Sequence, residues 1–292
     1  MKFLLLLFLC ILLSCRHHQE QDPVIRAEEG YFSAIAKNDI PLTPPEEGEW
    51  LFEHAEGGQT FEEYKKANPV KPGANRSVIY LLPVGEFTAL QQKALSLTRA
   101  YIAIFFQLET VLLQPIADTA ITTRFQTDHL QLLAPYILDT LLADQMPANG
   151  MALMAISAKD LYPKPSWNYV FGLASYTKRV GVTSIYRLQN KQLDTANFSQ
   201  CINRLTNISS HEIGHMLSLH HCIFARCVMN GSNGLAETDN APNRLCSDCQ
   251  KKLYWNIRYD NKKRLQQLLE FCRQQSLNKE EKLFQADSKA VQ

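Results

Sequence analysis

The sequence is short of net charge. Thirty basic residues stand against 29 acidic ones, a balance of +1 over 292 residues. No basic stripe offers itself to nucleic acid and no acidic tail to a cationic partner. There is also no Gly-rich phosphate loop, no internal repeat and no second apolar span after the N-terminus. These absences argue against a nucleotide-binding turn, a solenoid and a multi-span membrane protein. What remains is an ordinary globular composition, 46% hydrophobic, sufficient for one large domain or one domain with extensions.

The N-terminus departs from that composition. Lys2 precedes an apolar run over residues 3–13, too short to span a bilayer and shaped like the apolar core of a signal peptide. It ends Leu12-Leu13-Ser14-Cys15, which resembles the lipobox of bacterial lipoprotein signal peptides. The resemblance implies a signal over residues 1–15 and a lipid on Cys15. It also implies an exported bacterial lipoprotein, membrane-anchored through that lipid on the periplasmic side or at the cell surface. An ordinary secretory signal or an uncleaved short anchor is the alternative. Residues 16–76 are polar and broken by prolines and by Gly57-Gly58. They read as a tether and N-terminal extension, with a short helix near 60–67 and Trp50, Leu51 and Phe52 as a docking cluster.

The folded domain is expected over residues 77–275. Residues 78–82 form a short apolar run ended by Pro83 and Gly85, the profile of a buried strand. A helical spacing of apolar residues follows over 87–106, then a strand near 110–113 and a helix over 132–142 with Pro135 near its start. Three further strands are expected at 151–157, 169–175 and 180–186. This order predicts an α+β fold, a mixed β-sheet packed with helices. A helix over 251–275 closes the domain, and the polar tail over 276–292 is expected to fray.

The chemistry is concentrated in His211-Glu-Ile-Gly-His-Met-Leu-Ser-Leu-His-His-Cys222. A long helix over 197–219 is expected here, with Asn197 and Gln200 at capping-box spacing. Phe198, Cys201, Ile202, Leu205, Ile208 and Met216 form its apolar stripe. His211 and His215 then differ by about 40° around the axis, so both imidazoles can reach one metal ion. Glu212 stands beside them, free to act as a general base. His221 is the candidate third ligand. On a continued helix it would lie roughly 9 Å further along the axis, so the chain must break after His215 and turn back.

With His211, His215 and His221 in register, the segment resembles the metzincin pattern H-E-x-x-H-x-x-G-x-x-H. Ser218 occupies the glycine position, where a serine with positive φ costs roughly 1 kcal/mol. Cys222, Cys227, Met229, Cys246 and Cys249 narrow the resemblance to the archaemetzincins, through H-C-x4-C-x-M and a later C-x2-C. The segments Val78-Ile-Tyr-Leu-Leu-Pro-Val-Gly85 and Phe171-Gly-Leu-Ala174 are also similar to that family.

The resemblance implies a metzincin-like fold with a small zinc-braced C-terminal subdomain. It implies a zinc-dependent peptidase acting on a peptide or small protein, and leaves open endo- or aminopeptidase-like action. A catalytic zinc on the three histidines would hold a water from which Glu212 takes a proton. Met229 would be the Met-turn residue beneath the ligands rather than a ligand, its alternative being a plain loop methionine. Cys222, Cys227, Cys246 and Cys249 would hold a second, structural zinc, giving two zinc ions per chain. Disulfides are the alternative in an oxidising compartment. Cys201 reads as a core residue and Cys272 has no partner motif. The competing function is a zinc-binding or peptide-binding lipoprotein with little or no turnover.

Overall fold

In the computed structural model, residues 22–292 are described. The expected signal and the lipid site at Cys15 lie outside the described residues. The lead-in is folded rather than loose. It carries α1 (Pro23–Ala27), α2 (Glu29–Ala36), α3 (Trp50–Glu53) and α4 (Phe61–Lys66). Thr60 and Glu63 close a reciprocal capping box on α4, which satisfies two otherwise orphaned backbone donors. Phe32, Ile35 and Tyr64 are fully buried in the main core, so the segment belongs to the folded body.

Strand β1 (Val78–Val84) leads into α5 (Ala89–Phe106), capped by Thr88 and Gln91, and then β2 (Glu109–Leu112). Strands β3 (Thr123–Gln126) and β4 (His129–Leu133) form a hairpin. The helix expected over 132–142 is shorter than its sequence suggests. Its first residues belong to β4, and only α6 (Ala134–Tyr136) and a π-turn at Ile137–Leu141 follow. Strands β5 (Gly150–Ser157), β6 (Asp160–Tyr162), β7 (Gly172–Ala174) and β8 (Val180–Ser184) precede α7 (Phe198–Met216).

The principal sheet has the order β2-β1-β5-β8-β7, parallel except for the antiparallel edge strand β7. A smaller sheet, β3-β4-β6, lies beside it. The principal sheet is apolar on both faces. Ile79, Leu81, Met154 and Ile156 pack with helix residues such as Tyr101, Ile102, Leu205 and Ile213. Leu82, Val84, Leu153, Ala155, Val180 and Val182 pack on the other side with Leu132, Ile137 and Leu161. The architecture is mixed α+β.

Two expectations about the C-terminal third are corrected. The single helix over 251–275 is broken by Arg258 at φ 65 into α9 (Ser247–Ile257) and α10 (Asn261–Gln274), after the short α8 (Leu235–Asn240). Asp260 caps the new N-terminus by accepting from the Lys263 backbone N–H at 2.9 Å. The polar tail does not fray: α11 (Asn278–Ala290) buries Glu280, Phe284 and Asp287. Buried Arg244 ties it down, donating to Asp287 at 2.6 and 3.0 Å and to Asp39 at 2.7 Å. One cation thereby fastens both ends of the described chain to the same core.

Candidate metal centre

Helix α7 brings His211 and His215 to one side, one turn apart, where the core holds them. The expected capping box at its start is absent. Asn197 makes no cap bond; it accepts from the Asp194 N–H at 3.0 Å and donates to the Gln189 and Gln192 carbonyls instead.

The helix ends where His221 requires it to end. Ser218 adopts φ 68, its N–H donates to His215 O at 2.8 Å, and the Leu219 N–H donates to Gly214 O at 3.0 Å. This is the Schellman closure usually given to glycine, here made by serine. The chain reverses and delivers His221 to the first two histidines. The candidate ligand atoms of His211, His215 and His221 lie within 4.8 Å of one another. His220 faces Tyr176 instead, with ring centroids 5.2 Å apart.

The outer nitrogens of these rings are engaged. His211 Nδ1 bonds Val228 O at 2.8 Å and His215 Nδ1 bonds Leu219 O at 2.7 Å. A carbonyl only accepts, so both Nδ1 atoms carry the proton and both Nε2 atoms present lone pairs. Those Nε2 atoms face each other at 2.9 Å. Burial, reinforced by the neighbouring imidazoles, depresses both histidines, His211 to about 3, so neither takes a proton readily near neutrality. Two opposed lone pairs in a buried site call for a cation, and zinc with Zn–N of about 2.0–2.1 Å fits this donor set. His221 Nδ1 bonds Glu56 at 2.8 and 3.0 Å. Burial opposes ionisation of Glu56, but hydrogen bonds from His221 and Trp50 outweigh it and hold the carboxyl below its ordinary range.

Glu212 is buried beside the ligands and lines a cleft of about 730 Å³ together with all three histidines. Burial alone pushes its carboxyl up to about 8. The edge strand β7 runs against it: a Cβ on Gly172 would fall 2.4 Å from Glu212 Oε1. Beneath the helix, Met229 is fully buried with its sulfur against Gly214.

The second cluster is Cys222, Cys227, Cys246 and Cys249, all buried, all free thiols, with sulfurs within 4.8 Å of one another. Cys222 and Cys246 Sγ stand 3.6 Å apart, close to the separation of about 3.8 Å that Zn–S bonds of about 2.3 Å impose on a tetrahedron. Backbone N–H groups of Met229 and Cys246 donate to Cys227 Sγ at 3.4 and 3.3 Å. The other three thiols hold Cys222 far below its ordinary range, while burial pushes Cys227 up. Four buried sulfurs gathered at this separation are a donor set of the kind that binds zinc, so the set fits zinc. Cys201 and Cys272 stand apart from this cluster, buried in the core.

Sequence reasoning missed Glu56, Gln59, Gly172 and Asn230. Asn230 accepts from the Cys227 N–H at 2.7 Å and donates to the Cys222 and Ala225 carbonyls at 2.7 and 3.0 Å, bracing the loop between two thiols. Position 214, inside the H-E-x-x-H motif, could have been noticed as a glycine at a helix-interior site that disfavours it.

A helix-borne histidine pair, a third histidine beyond a helix break and an intervening buried glutamate define a metallopeptidase-type centre. Residues 122–254 match peptidase family M54. Human archaemetzincin-2 is 30% identical over 249 residues, covering 73% of this chain and 69% of that protein. Rat archaemetzincin-2 is 28% identical over 276 residues, covering 81% of this chain and 75% of its own. The archaemetzincin of Thermococcus kodakarensis is 33% identical over 143 residues, covering 49% of this chain and 76% of its own. The crystal structure of archaemetzincin from Methanopyrus kandleri superposes with a TM-score of 0.51 at 23% identity, covering 65% of this chain and all of that one, a likeness of fold. The chain belongs to the archaemetzincin family of zinc metallopeptidases.

Proposed function

We propose that this chain hydrolyses peptide bonds at the His211, His215 and His221 centre with Glu212 as general base. The observation that carries the reading is the placement of Glu212: buried next to the convergent imidazoles, yet lining the same cleft. Zinc held by the three histidines would supply Lewis acidity toward a carbonyl and toward water. The chain's own residues do the rest. The Nδ1–carbonyl bonds hold His211 and His215 in the ligating tautomer. Glu212, held beside the three imidazoles at the wall of the cleft, takes a proton from the attacking water and returns it to the leaving amine. Gly172 leaves the space that carboxyl occupies.

Glu212→Gln removes the proton carrier and nothing else. It should leave zinc content unchanged and reduce peptide hydrolysis by several orders of magnitude in a broad peptide library. Equal turnover by variant and wild type would refute the role. The second zinc is proposed on the four thiols, bracing the segment that aims His221, to which Cys222 is adjacent. At the N-terminus, the Leu12-Leu13-Ser14-Cys15 sequence supports a lipid anchor on Cys15. Cys15→Ala should release the protein from membranes or leave it unprocessed, and unchanged fractionation and processing would dispose of the anchor.

A further inference from the structure

His211 and His215 are fixed by the helix that carries them, whereas His221 lies beyond the break, on a loop. Its ring therefore needs support from elsewhere. The support comes from 165 positions away in sequence, where the Glu56 carboxylate takes His221 Nδ1 at 2.8 and 3.0 Å. Glu56 is itself held. Trp50 Nε1 donates to its Oε1 at 3.0 Å, and the Trp50 ring meets the His221 ring edge to face, centroids 5.2 Å apart.

The same segment grips the turn that leads to His221. Gln59 donates to Ser218 O at 3.0 Å and accepts from the His220 N–H at 3.3 Å. Tyr64 OH donates to Leu217 O at 2.9 Å. Gly58 lies so close to the loop that a Cβ there would stand 2.7 Å from Ile223 Cγ1. Residues 217, 218, 220 and 221 are thus each bonded by residues 56–64, which lie outside the stretch 122–254 that matches the peptidase family.

We propose that Glu56 is a positioning residue for the third histidine, which makes the N-terminal segment a working part of the metal centre. This rests on reading the three histidines as that centre. A carboxylate on Nδ1 fixes the tautomer that leaves Nε2 as the ligating atom, orients the ring and raises its basicity, and losing such a partner typically weakens metal binding about 10–100-fold. Trp50 and Gln59 act one step further out, by holding Glu56 and the turn in place.

The test uses the full folded chain with Glu56→Ala, Glu56→Gln and His211→Ala variants. Three readouts are taken: zinc affinity by competition with a chromophoric chelator, the visible spectrum of the cobalt-substituted protein, and the thermal midpoint after zinc removal. Glu56→Ala should weaken the more readily exchanged zinc by about 10–100-fold and alter the cobalt spectrum, with little change in the zinc-free midpoint. Glu56→Gln, which keeps an acceptor oxygen without the charge, should fall between wild type and Glu56→Ala. Wild-type affinity and spectrum in Glu56→Ala, with His211→Ala deficient in that zinc, would overturn the role of Glu56 alone. So would a drop in the zinc-free midpoint that accounts for the whole loss. Retention of the exchangeable zinc in His211→Ala would overturn the metal-centre reading and this inference together.

Discussion

The sulfur of Met229 stands where a side chain at Gly214 would begin: a Cβ there would come within 2.6 Å of Met229 Sδ and 3.1 Å of its Cε. The helix accepts glycine at an interior position because the methionine floor requires it. Two effects compete in Gly214→Ala. Alanine gains about 1 kcal/mol in helix propensity, while overpacking costs about 1–3 kcal/mol. The methionine is flexible and can yield partly, so a modest net loss is expected, a melting temperature lower by a few degrees. Met229→Ala should relieve the clash, and the two changes together should cost less than their sum. Strict additivity in thermal unfolding would show that the pair does not touch in solution.

Gly172 presents a similar contact with a different consequence. A Cβ there would fall 2.4 Å from Oε1 and 2.7 Å from Cδ of Glu212. Glu212 is the more movable partner, so Gly172→Ala should displace its carboxyl, the proposed base, rather than unfold the strand. A shift of about 1 Å can cost about 100-fold in rate. The expected result is a fall in kcat of that order, with zinc content and melting temperature near wild type. Unimpaired kcat would mean that the carboxyl is not confined by β7.

His129 offers a test by pH away from the metal centre. It lies between Asp128 at 2.8 Å and the buried Asp160 at 3.0 Å. Burial works against its charge, but the two carboxylates outweigh it and raise its pKa above 6.5. A raised folded pKa means stabilisation fully present below the unfolded value and lost as pH rises through the folded one. His129→Asn should therefore lower the melting temperature more at about pH 5.5 than at about pH 8.5. An equal penalty at both would exclude a charged pair.

Much of this centre was legible because its signals are local. The i, i+4 histidines, the apolar stripe of α7 and the apolar runs of β1, β5 and β8 follow from periodicity alone. The required helix break was also legible, although the residue making it, Ser218 at φ 68, runs against glycine preference. The lead-in and tail were not legible, because their burial rests on few apolar residues and on distant ions. Arg244 with Asp39 and Asp287 joins three segments of unremarkable polar sequence. Arg258 ends a helix in the left-handed region without a glycine to mark the place. Glu56 and His221 are bonded across 165 positions, and no short-range pattern carries such a pair.

Ser218 nevertheless permits a prediction of sign. At φ 68 serine bears a cost of roughly 1 kcal/mol that glycine avoids. Glycine in turn loses more freedom on folding, about 0.4–1 kcal/mol. Ser218→Gly should then range from neutral to about 0.5 kcal/mol stabilising by these opposed terms, with zinc retained. A marked loss of zinc would assign the hydroxyl a task that its backbone conformation does not reveal.

The two clusters should part with metal in a definite order. The histidine set opens onto the 730 Å³ cleft, and three ligands leave a position free for a chelator to enter by. The thiols are all buried, and four of them would fill the coordination of one zinc ion, leaving no position open. Chelator should therefore take the histidine-bound zinc first, abolishing hydrolysis while the far-ultraviolet circular dichroism persists. Removing the thiolate-bound zinc should loosen the loop from His221 to α9, because its binding energy is also folding energy. Cys227 and Cys246 also accept or donate the backbone bonds that hold Met229 and the start of α9. Hydrogen exchange should thus rise in residues 221–250 only at the second stage. Two zinc ions per chain, released in this sequence, is the expected count by elemental analysis with parallel thiol titration. One zinc, with the four cysteines recovered as disulfides from unfolded, unreduced protein, would remove the structural site and leave the peptidase centre standing.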